Sequence, residues 1–152
     1  RSGGSTDGAI AALGLFLPGV SLFPMRRRDG EIEVDRAPDV PQDKRYTGPL
    51  AVVVDGDSSS AAEMMAGGLA SYRRAVVIGD LTYGKGCAQE YLDDEVHAGV
   101  LRLTTLLYAL PDGAPVQKTG ISPSIWLGLT SQCFTPQRRR SRLRRRSSSA
   151  SR

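Results

Sequence analysis

Two short apolar segments, separated by a segment with helical spacing, most strongly constrain the fold of this chain. Leu50–Val54 and Ala75–Gly79 are rich in valine and isoleucine, which is typical of strands buried on both faces of a sheet. Between them, Ala61–Tyr72 repeats apolar residues every three to four positions. A strand, a helix and a strand in this order predict a right-handed crossover between parallel strands, with the first strand central in its sheet. The predicted fold class is α/β.

The remaining elements follow from local patterns and turn residues. They are a helix capped by Ser5 or Asp7 and ended by Pro18-Gly19, a charged surface excursion at Met25–Tyr46 with a short strand at Glu31–Val34, a longer strand at Val100–Tyr108, a turn at Pro111–Gly113 and a last short strand at Ile121–Leu127. A chain of 152 residues with 40% hydrophobic content suffices for one core. One domain, residues 1–130, is therefore expected.

The C-terminal residues dominate the charge of the chain. The formal net charge is +4, but Arg138–Arg152 contains eight arginines and no acid, so the rest of the chain carries −4. Residues 131–152 are predicted to be a disordered, Arg/Ser-rich tail, because they hold too little apolar material to fold. Contact of this tail with nucleic acid is the alternative. No aromatic residues are interleaved with the arginines of Arg138–Arg152 for bases to stack on, so no nucleic-acid partner is expected.

Several classes of function are disfavoured by the pattern. No apolar stretch reaches the roughly 18 to 20 residues of a membrane span. Cys87 and Cys133 are not part of a metal-binding pattern, so no metal and no cofactor are expected. A disulfide between these two cysteines is an alternative that the sequence leaves open. A phosphate-binding loop is disfavoured because glycine follows Lys85, where that motif has serine or threonine. The chain begins with Arg1 and shows no signal peptide, which is typical of a cut edge.

Ser60 is a candidate nucleophile because it lies where a predicted buried strand passes into a helix. The free amides of a helix N-terminus favour developing negative charge. If Ser60 attacks a carbonyl, the amide of Ala61 would donate to the oxyanion, and a glycine-rich loop such as Gly3-Gly4 would supply a second donor. The alternative is structural: Ser60 and Glu63 match a capping box, in which the serine satisfies a helix amide and does no chemistry.

Lys85 is the candidate base for this serine. The chain has only three lysines, and arginine, which cannot release its proton in a protein, supplies most of the positive charge. A lysine base requires burial that lowers its pKa by about three units, which costs roughly 4 kcal/mol. The flanking Gly84 and Gly86 would permit an unusual backbone, and Gln89 would share the lysine's face and hydrogen-bond its nitrogen. An exposed turn lysine is the alternative, and the single histidine, His97, lies in an acidic loop without a triad motif.

Several separated motifs occur here in the order found in one known family. Ser58–Glu63 reads Ser-Ser-Ser-Ala-Ala-Glu where that family usually has Ser-Ala-Ser-Ala-Ser-Glu, and Thr82–Gly86 reads Thr-Tyr-Gly-Lys-Gly. Further similar segments are Leu15–Pro18, Gly48–Asp55, Arg74–Gly79, Leu103–Thr105, Pro111–Gly113 and Gly120–Ile125. Over about Arg1–Leu127 the chain thus resembles the C-terminal processing peptidases, also called tail-specific proteases. Two positions depart from the family pattern: Ser124 replaces an aspartate, and Ser2 replaces the first residue of a glycine triple.

The resemblance implies roles for particular residues. The family nucleophile falls on Ser60, its base on Lys85 and its supporting glutamine on Gln89. The second oxyanion donor, beside the amide of Ala61, would be Gly3 or Gly4. The implied fold is a crotonase-like core of repeated ββα units, truncated at its N-terminal edge because the family's first strand would precede Arg1.

The resemblance also implies an activity. It is that of a serine-type endopeptidase that cleaves near the C-terminus of protein substrates through a Ser60/Lys85 dyad and an acyl-enzyme. Protein or peptide C-terminal tails would be the partners, and a periplasmic, cell-envelope or secreted location would follow. No PDZ domain, which family members often have, is present in this sequence, the oligomeric state stays open, and the fragment alone could be inactive. The alternative function is a noncatalytic module that binds peptide tails on the same fold.

Overall fold

The computed structural model describes residues 2–94 and 99–127, which form two β-sheets and two α-helices. In chain order the elements are α1 (Thr6–Leu13), β1 (Ser21–Arg27), β2 (Ile32–Arg36), a short 3-10 helix (Gln42–Lys44), β3 (Ala51–Val54), α2 (Ala61–Ser71), β4 (Val76–Gly79), β5 (Cys87–Asp94), β6 (Gly99–Tyr108) and β7 (Ile125–Trp126). The α/β class is confirmed, while the crotonase-like ββα repeat stays a prediction. The predictions for His97, Cys133 and the tail at 131–152 fall outside the described residues.

The predicted strand, helix and strand unit is present as β3, α2 and β4. β3 and β4 are parallel, with Val52 opposite Val77, and β7 joins the other side of β4, with Ile125 opposite Ile78. The sheet order is therefore β3-β4-β7. Because the three strands run in the same direction, their carboxyl ends lie along one edge, and the segments that carry Ser60 and Lys85 follow two of those ends.

The prediction that β3 is central and buried on both faces is wrong for the described residues. β3 lies at an edge of its sheet, and the Val53 side chain is 69% exposed. Alternate residues of a strand point to opposite faces. Val54 packs with Ala66 of α2 and Val77 of β4, whereas Val53 points to the face that no described element covers. A run of valines does not reveal whether one face or both are covered.

The second sheet is antiparallel, in the order β2-β1-β6-β5, and half of it was missed by the sequence patterns. β1 contains Pro24, which interrupts a strand pattern because proline has no amide hydrogen. The strand nevertheless forms: its register shifts between Ser21 and Pro24, and the Pro24 carbonyl accepts the Ala109 amide at 3.1 Å. β5 is polar and charged, and its pairing with β6 stabilises it. The predicted strands at Glu31–Val34 and Val100–Tyr108 are confirmed as β2 and β6.

The two helices join the sheets through one main apolar core. The Ser5 hydroxyl caps α1 by accepting the Gly8 amide at 3.2 Å, as predicted, but the helix ends at Leu13, before the predicted Pro18. α2 is buried on several sides: Met64 and Leu69 lie in the core with Leu13 and Phe23, while Ala66 faces the parallel sheet. Gly68 permits this close packing, because a Cβ there would lie 3.2 Å from Phe23 Cζ. No helix among the described residues is long and apolar enough to cross a membrane.

Candidate active site

Ser60 lies at the end of a tight turn that connects β3 to α2. The Asp55 carboxylate accepts hydrogen bonds from the Ser58 hydroxyl at 2.9 Å and from the Asp57 amide at 3.1 Å, and Ser58 Oγ accepts the Asp55 amide at 3.1 Å. The Ser58 hydrogen bond holds the pKa of the Asp55 carboxyl below its usual value. The turn is therefore most stable with Asp55 ionised, and it weakens as the pH falls through that lowered pKa.

The backbone of Ser60 has an unusual conformation. Its φ is 57° and its ψ is −122°, in a region that glycine adopts readily and that costs other residues about 1 to 3 kcal/mol. Ser60 is the N-cap residue of α2, yet its side chain makes no capping hydrogen bond. The predicted capping-box arrangement of Ser60 and Glu63 is nevertheless present, and the Ser60 amide donates to Glu63 Oε2 at 2.8 Å. The Glu63 amide donates its hydrogen bond to the Ser60 carbonyl oxygen at 2.8 Å.

Glu63 is the residue that connects the two candidate segments. Its side chain is fully buried, with a relative exposure of 0%. Oε2 accepts the amides of Ser60 and Lys85, each at 2.8 Å, while Oε1 accepts the Gly84 amide at 2.6 Å and the Thr82 hydroxyl at 2.5 Å. Four donors fill the acceptor capacity of a carboxylate. The start of α2 and the loop after β4 are therefore attached to one carboxylate group.

The loop that carries Lys85 lies against the segment at 116–121. Gly84 has a φ of 85°, and a Cβ there would lie 3.0 Å from Gly120 N. At Gly86 a Cβ would lie 2.4 Å from Gln117 N, which leaves no room for a side chain. The Thr82 hydroxyl also accepts the Ile121 amide at 2.7 Å. Close backbone contact thus requires glycine on both sides of Lys85, and at Gly84 the backbone conformation requires it as well.

The Lys85 side chain is half-buried. Within residues 2–94 and 99–127, no hydrogen bond joins Lys85 Nζ to the Ser60 hydroxyl. The two residues are brought together through their backbone amides, which both donate to Glu63 Oε2. The Gln89 side chain forms its hydrogen bonds with other residues: its Oε1 accepts Arg102 Nη2 at 2.6 Å, and its amide nitrogen lies 3.5 Å from Thr104 Oγ1. Lys85 is in a loop and β5 begins at Cys87, so the two side chains do not share one regular element. The supporting role of Gln89 stays a prediction.

Gly3 and Gly4 have different surroundings. A Cβ on Gly3 would lie 2.6 Å from Ala61 N and 2.8 Å from Ser60 Cβ, whereas a Cβ on Gly4 would meet nothing within 4 Å. The backbone of Gly3 is therefore in contact with the start of α2. In the described part of the chain the Ala61 amide donates no hydrogen bond, as expected at a helix N-terminus. The Ala61 amide thus lies beside Ser60 with the Gly3 backbone next to it, and the oxyanion hole predicted from these residues stays a prediction.

Sequence reasoning missed two residues that organise this site. Glu63 was considered only as a capping partner, and its second set of contacts comes from a loop far along the chain. Tyr108 was considered only as the end of a strand, yet its hydroxyl reaches both candidate residues, as described below. For Glu63, the sequence signal that could have revealed this role was a glutamate on the buried side of an apolar helix. Among the described residues, no cluster of histidine, cysteine and acidic side chains has the arrangement of a metal site.

Replacing Glu63 with glutamine is expected to destabilise the fold. The NH₂ group of glutamine is a hydrogen-bond donor, and it would face backbone N–H groups that are donors as well. We expect the free energy of unfolding to fall by about 2 to 3 kcal/mol, measured by urea denaturation. Glu31→Gln is the matched control, since Glu31 is exposed. Equal stability of the Glu63→Gln variant and the unmodified protein would contradict the role of Glu63 as a buried acceptor.

The segments that form this turn, the buried carboxylate and the unused amide all fall within a match to one known protein family. The model of Peptidase family S41 matches residues 1–127. The chain therefore belongs to this family of peptidases. The predicted resemblance to C-terminal processing peptidases is confirmed by the relatives described next.

Similar proteins are C-terminal processing proteases. The chain is 37% identical over 123 residues to the carboxy-terminal-processing protease of Bartonella bacilliformis, a match that covers 81% of this chain and 28% of that protein. It is 32% identical over 132 residues to the tail-specific protease of Haemophilus influenzae, covering 82% of this chain and 19% of that protein. Among solved structures, the photosystem II D1 C-terminal processing protease superposes with a TM-score of 0.71 at 28% identity, covering 83% of this chain and 32% of that one. The chain thus spans less than a third of the length of each.

Proposed function

We propose that this chain carries the catalytic serine and lysine of a serine-type endopeptidase that cleaves protein substrates near their C-termini. The observation that supports this most directly is that one buried carboxylate oxygen accepts the amides of both Ser60 and Lys85. Two candidates from separate loops are thereby held close together. Substrates of the whole protein would be polypeptide tails, and its location would be the periplasm, the cell envelope or the exterior.

In the first half of the proposed reaction, Ser60 is the nucleophile. Neutral Lys85 accepts the proton of the Ser60 hydroxyl while Oγ forms a bond to the carbonyl carbon of the scissile peptide. The negative charge that develops on the carbonyl oxygen is stabilised by the amide of Ala61 and by a second donor, for which Gly3 is better placed than Gly4. When the tetrahedral intermediate collapses, the peptide carbon–nitrogen bond breaks and the departing amine takes the proton from the lysine. The acyl group then remains on Ser60.

In the second half, water replaces the amine. Lys85 is neutral again and accepts a proton from water while the water oxygen attacks the acyl carbon. The same amides stabilise the second oxyanion, the bond to Ser60 Oγ breaks, and the lysine returns the proton to the serine. The products are two shorter peptides. Each step is balanced by the serine, the lysine and water alone.

A serine-reactive fluorophosphonate probe tests this proposal on the full-length enzyme. Because only an activated serine displaces fluoride rapidly, we expect the phosphonyl mass to appear on Ser60 and not on the adjacent Ser59, in proportion to the loss of peptide cleavage. Mass spectrometry of the digested protein locates the label. Stoichiometric binding of a peptide tail with neither cleavage nor labelling would instead favour a noncatalytic binding module on the same fold.

A further inference from the structure

Tyr108 ends β6 with its ring fixed in the core. The side chain is 4% exposed, and the ring packs edge-on against Phe23, with 6.0 Å between centroids and an interplanar angle of 73°. Burial, and after it the negative charge of Glu63, raises the pKa of the Tyr108 hydroxyl above its ordinary value. The hydroxyl therefore stays protonated near neutral pH and acts as a hydrogen-bond donor.

That hydroxyl lies between the two candidate catalytic residues. Its oxygen is 3.0 Å from the carbonyl oxygen of Lys85 and 3.2 Å from that of Ser60. The Ser60 carbonyl also accepts the amides of Glu63 and Met64, at 2.8 and 3.0 Å. In the described part of the chain the Lys85 carbonyl has no other hydrogen-bond donor. The hydrogen bond from the Tyr108 hydroxyl is thus more important for the Lys85 carbonyl than for the Ser60 carbonyl, which has two other donors.

Tyr108 and Glu63 hold the same two residues from opposite sides, one at the carbonyl group and the other at the amide group of each residue. Glu63 Oε2 accepts the amides of Ser60 and Lys85, and the Tyr108 hydroxyl lies at both of their carbonyls. With its amide and its carbonyl both held, the backbone of each residue has little freedom to rotate. The separation of the Lys85 backbone from the Ser60 backbone is then fixed by two buried groups on separate elements.

The unusual backbone conformation of Ser60 depends on these contacts. A residue in a region of positive φ keeps that conformation only when surrounding contacts hold it there. For Ser60 these are the carboxylate on its amide side and, on its carbonyl side, two helix amides together with the tyrosine hydroxyl. Loosening one of them would let the serine and the lysine drift apart, and a displacement of about 1 Å is enough to slow catalysis markedly.

We propose that Tyr108 is a positioning residue that sets the separation of Ser60 and Lys85 by donating its hydroxyl to their carbonyl oxygens. The proposal rests on the proposed peptidase function. In this proposal Tyr108 acts through the backbones of Ser60 and Lys85, because the contacts of its hydroxyl are with their carbonyl oxygens. Its removal should therefore slow the chemical step while leaving substrate binding unchanged.

The test is Tyr108→Phe in the full-length enzyme, since phenylalanine keeps the ring and its packing and removes only the hydroxyl. We expect kcat to fall about 10-fold, which is the loss of one buried hydrogen bond of ordinary strength, with KM unchanged. The concentration of active enzyme is counted by total fluorophosphonate labelling, so that misfolded protein does not lower the rate. Backbone amide exchange, read by NMR, should also accelerate at the amides of Ser60 and Lys85.

Tyr46→Phe is the matched control. Tyr46 also packs edge-on against a phenylalanine, Phe16, and also donates its hydroxyl to a backbone carbonyl, that of Pro49, at 2.9 Å. It contacts neither catalytic candidate through that hydroxyl, so kcat and the two exchange rates should not change. Unchanged kcat and exchange in Tyr108→Phe would overturn the proposal. If the unmodified enzyme cleaves nothing while Tyr108→Phe still speeds exchange at both amides, the proposed peptidase function fails and the structural link through Tyr108 is supported.

Discussion

Alanine at Ser60 or at Lys85 is expected to lower kcat/KM of the full-length enzyme by about 10⁴-fold or more on a peptide with an apolar C-terminus. In the proposed mechanism the hydroxyl forms the acyl-enzyme and the amine accepts the serine proton, so each variant removes one required group. The proposed dyad acts as a unit, so the double variant should be no slower than the slower single variant. Initial rates on a fluorogenic peptide measure all three variants.

Two other alanine variants are controls for that experiment. Lys44→Ala removes an exposed lysine from the 3-10 helix, and Ser59→Ala removes the hydroxyl next to Ser60 in the sequence. Both should retain near-normal rates. Full activity of either Ser60→Ala or Lys85→Ala would exclude the dyad, whatever the family of the chain.

Replacing Gly3 with alanine is expected to lower kcat by about 10² to 10³-fold, the range found when one oxyanion donor is lost. The added Cβ would lie 2.6 Å from Ala61 N and 2.8 Å from Ser60 Cβ, closer than atoms approach without displacement. The backbone of Gly3 must therefore move away from the start of α2. Steady-state kinetics should show the loss mainly in kcat, because the oxyanion exists only as the reaction proceeds.

Gly4→Ala distinguishes a local collision from a general effect of alanine in this loop. A Cβ at Gly4 would meet no atom within 4 Å, so this variant should keep kcat within a few-fold of normal. Thermal unfolding of both variants shows whether the Gly3→Ala loss comes from unfolding. A Gly3→Ala enzyme with normal kcat, or a Gly4→Ala enzyme that is equally slow, would contradict the placement of Gly3 at the oxyanion.

The sequence predicted the elements whose pattern is local. β3, α2 and β4 were recognisable because apolar runs and helical spacing each occur within about a dozen residues. β1 and β5 were not, since one contains a proline and the other is rich in polar residues. Both strands form because neighbouring strands supply hydrogen-bond partners, and those partners lie far away along the chain.

The candidate site shows the same division between local and distant information. Ser60, Ala61 and Lys85 were identified from their positions at a strand end, a helix start and a glycine-flanked loop. Gln89 was placed beside Lys85 by counting along one element, but the loop ends and β5 begins between them, so the supporting role of Gln89 stays a prediction. The tertiary structure added Glu63, whose buried carboxylate accepts donors from two segments.

The sequence by itself determined the α/β class, the family, and the residue types from which a serine and a lysine could form a dyad. Only the tertiary structure decided which glycine lies against Ser60, that β3 is an edge strand among the described residues, and how the two candidates are held together. The physical reason is that a motif records neighbours in sequence. The carboxylate of Glu63 and the hydroxyl of Tyr108 act on groups that become neighbours only when the sheets and α2 pack around them.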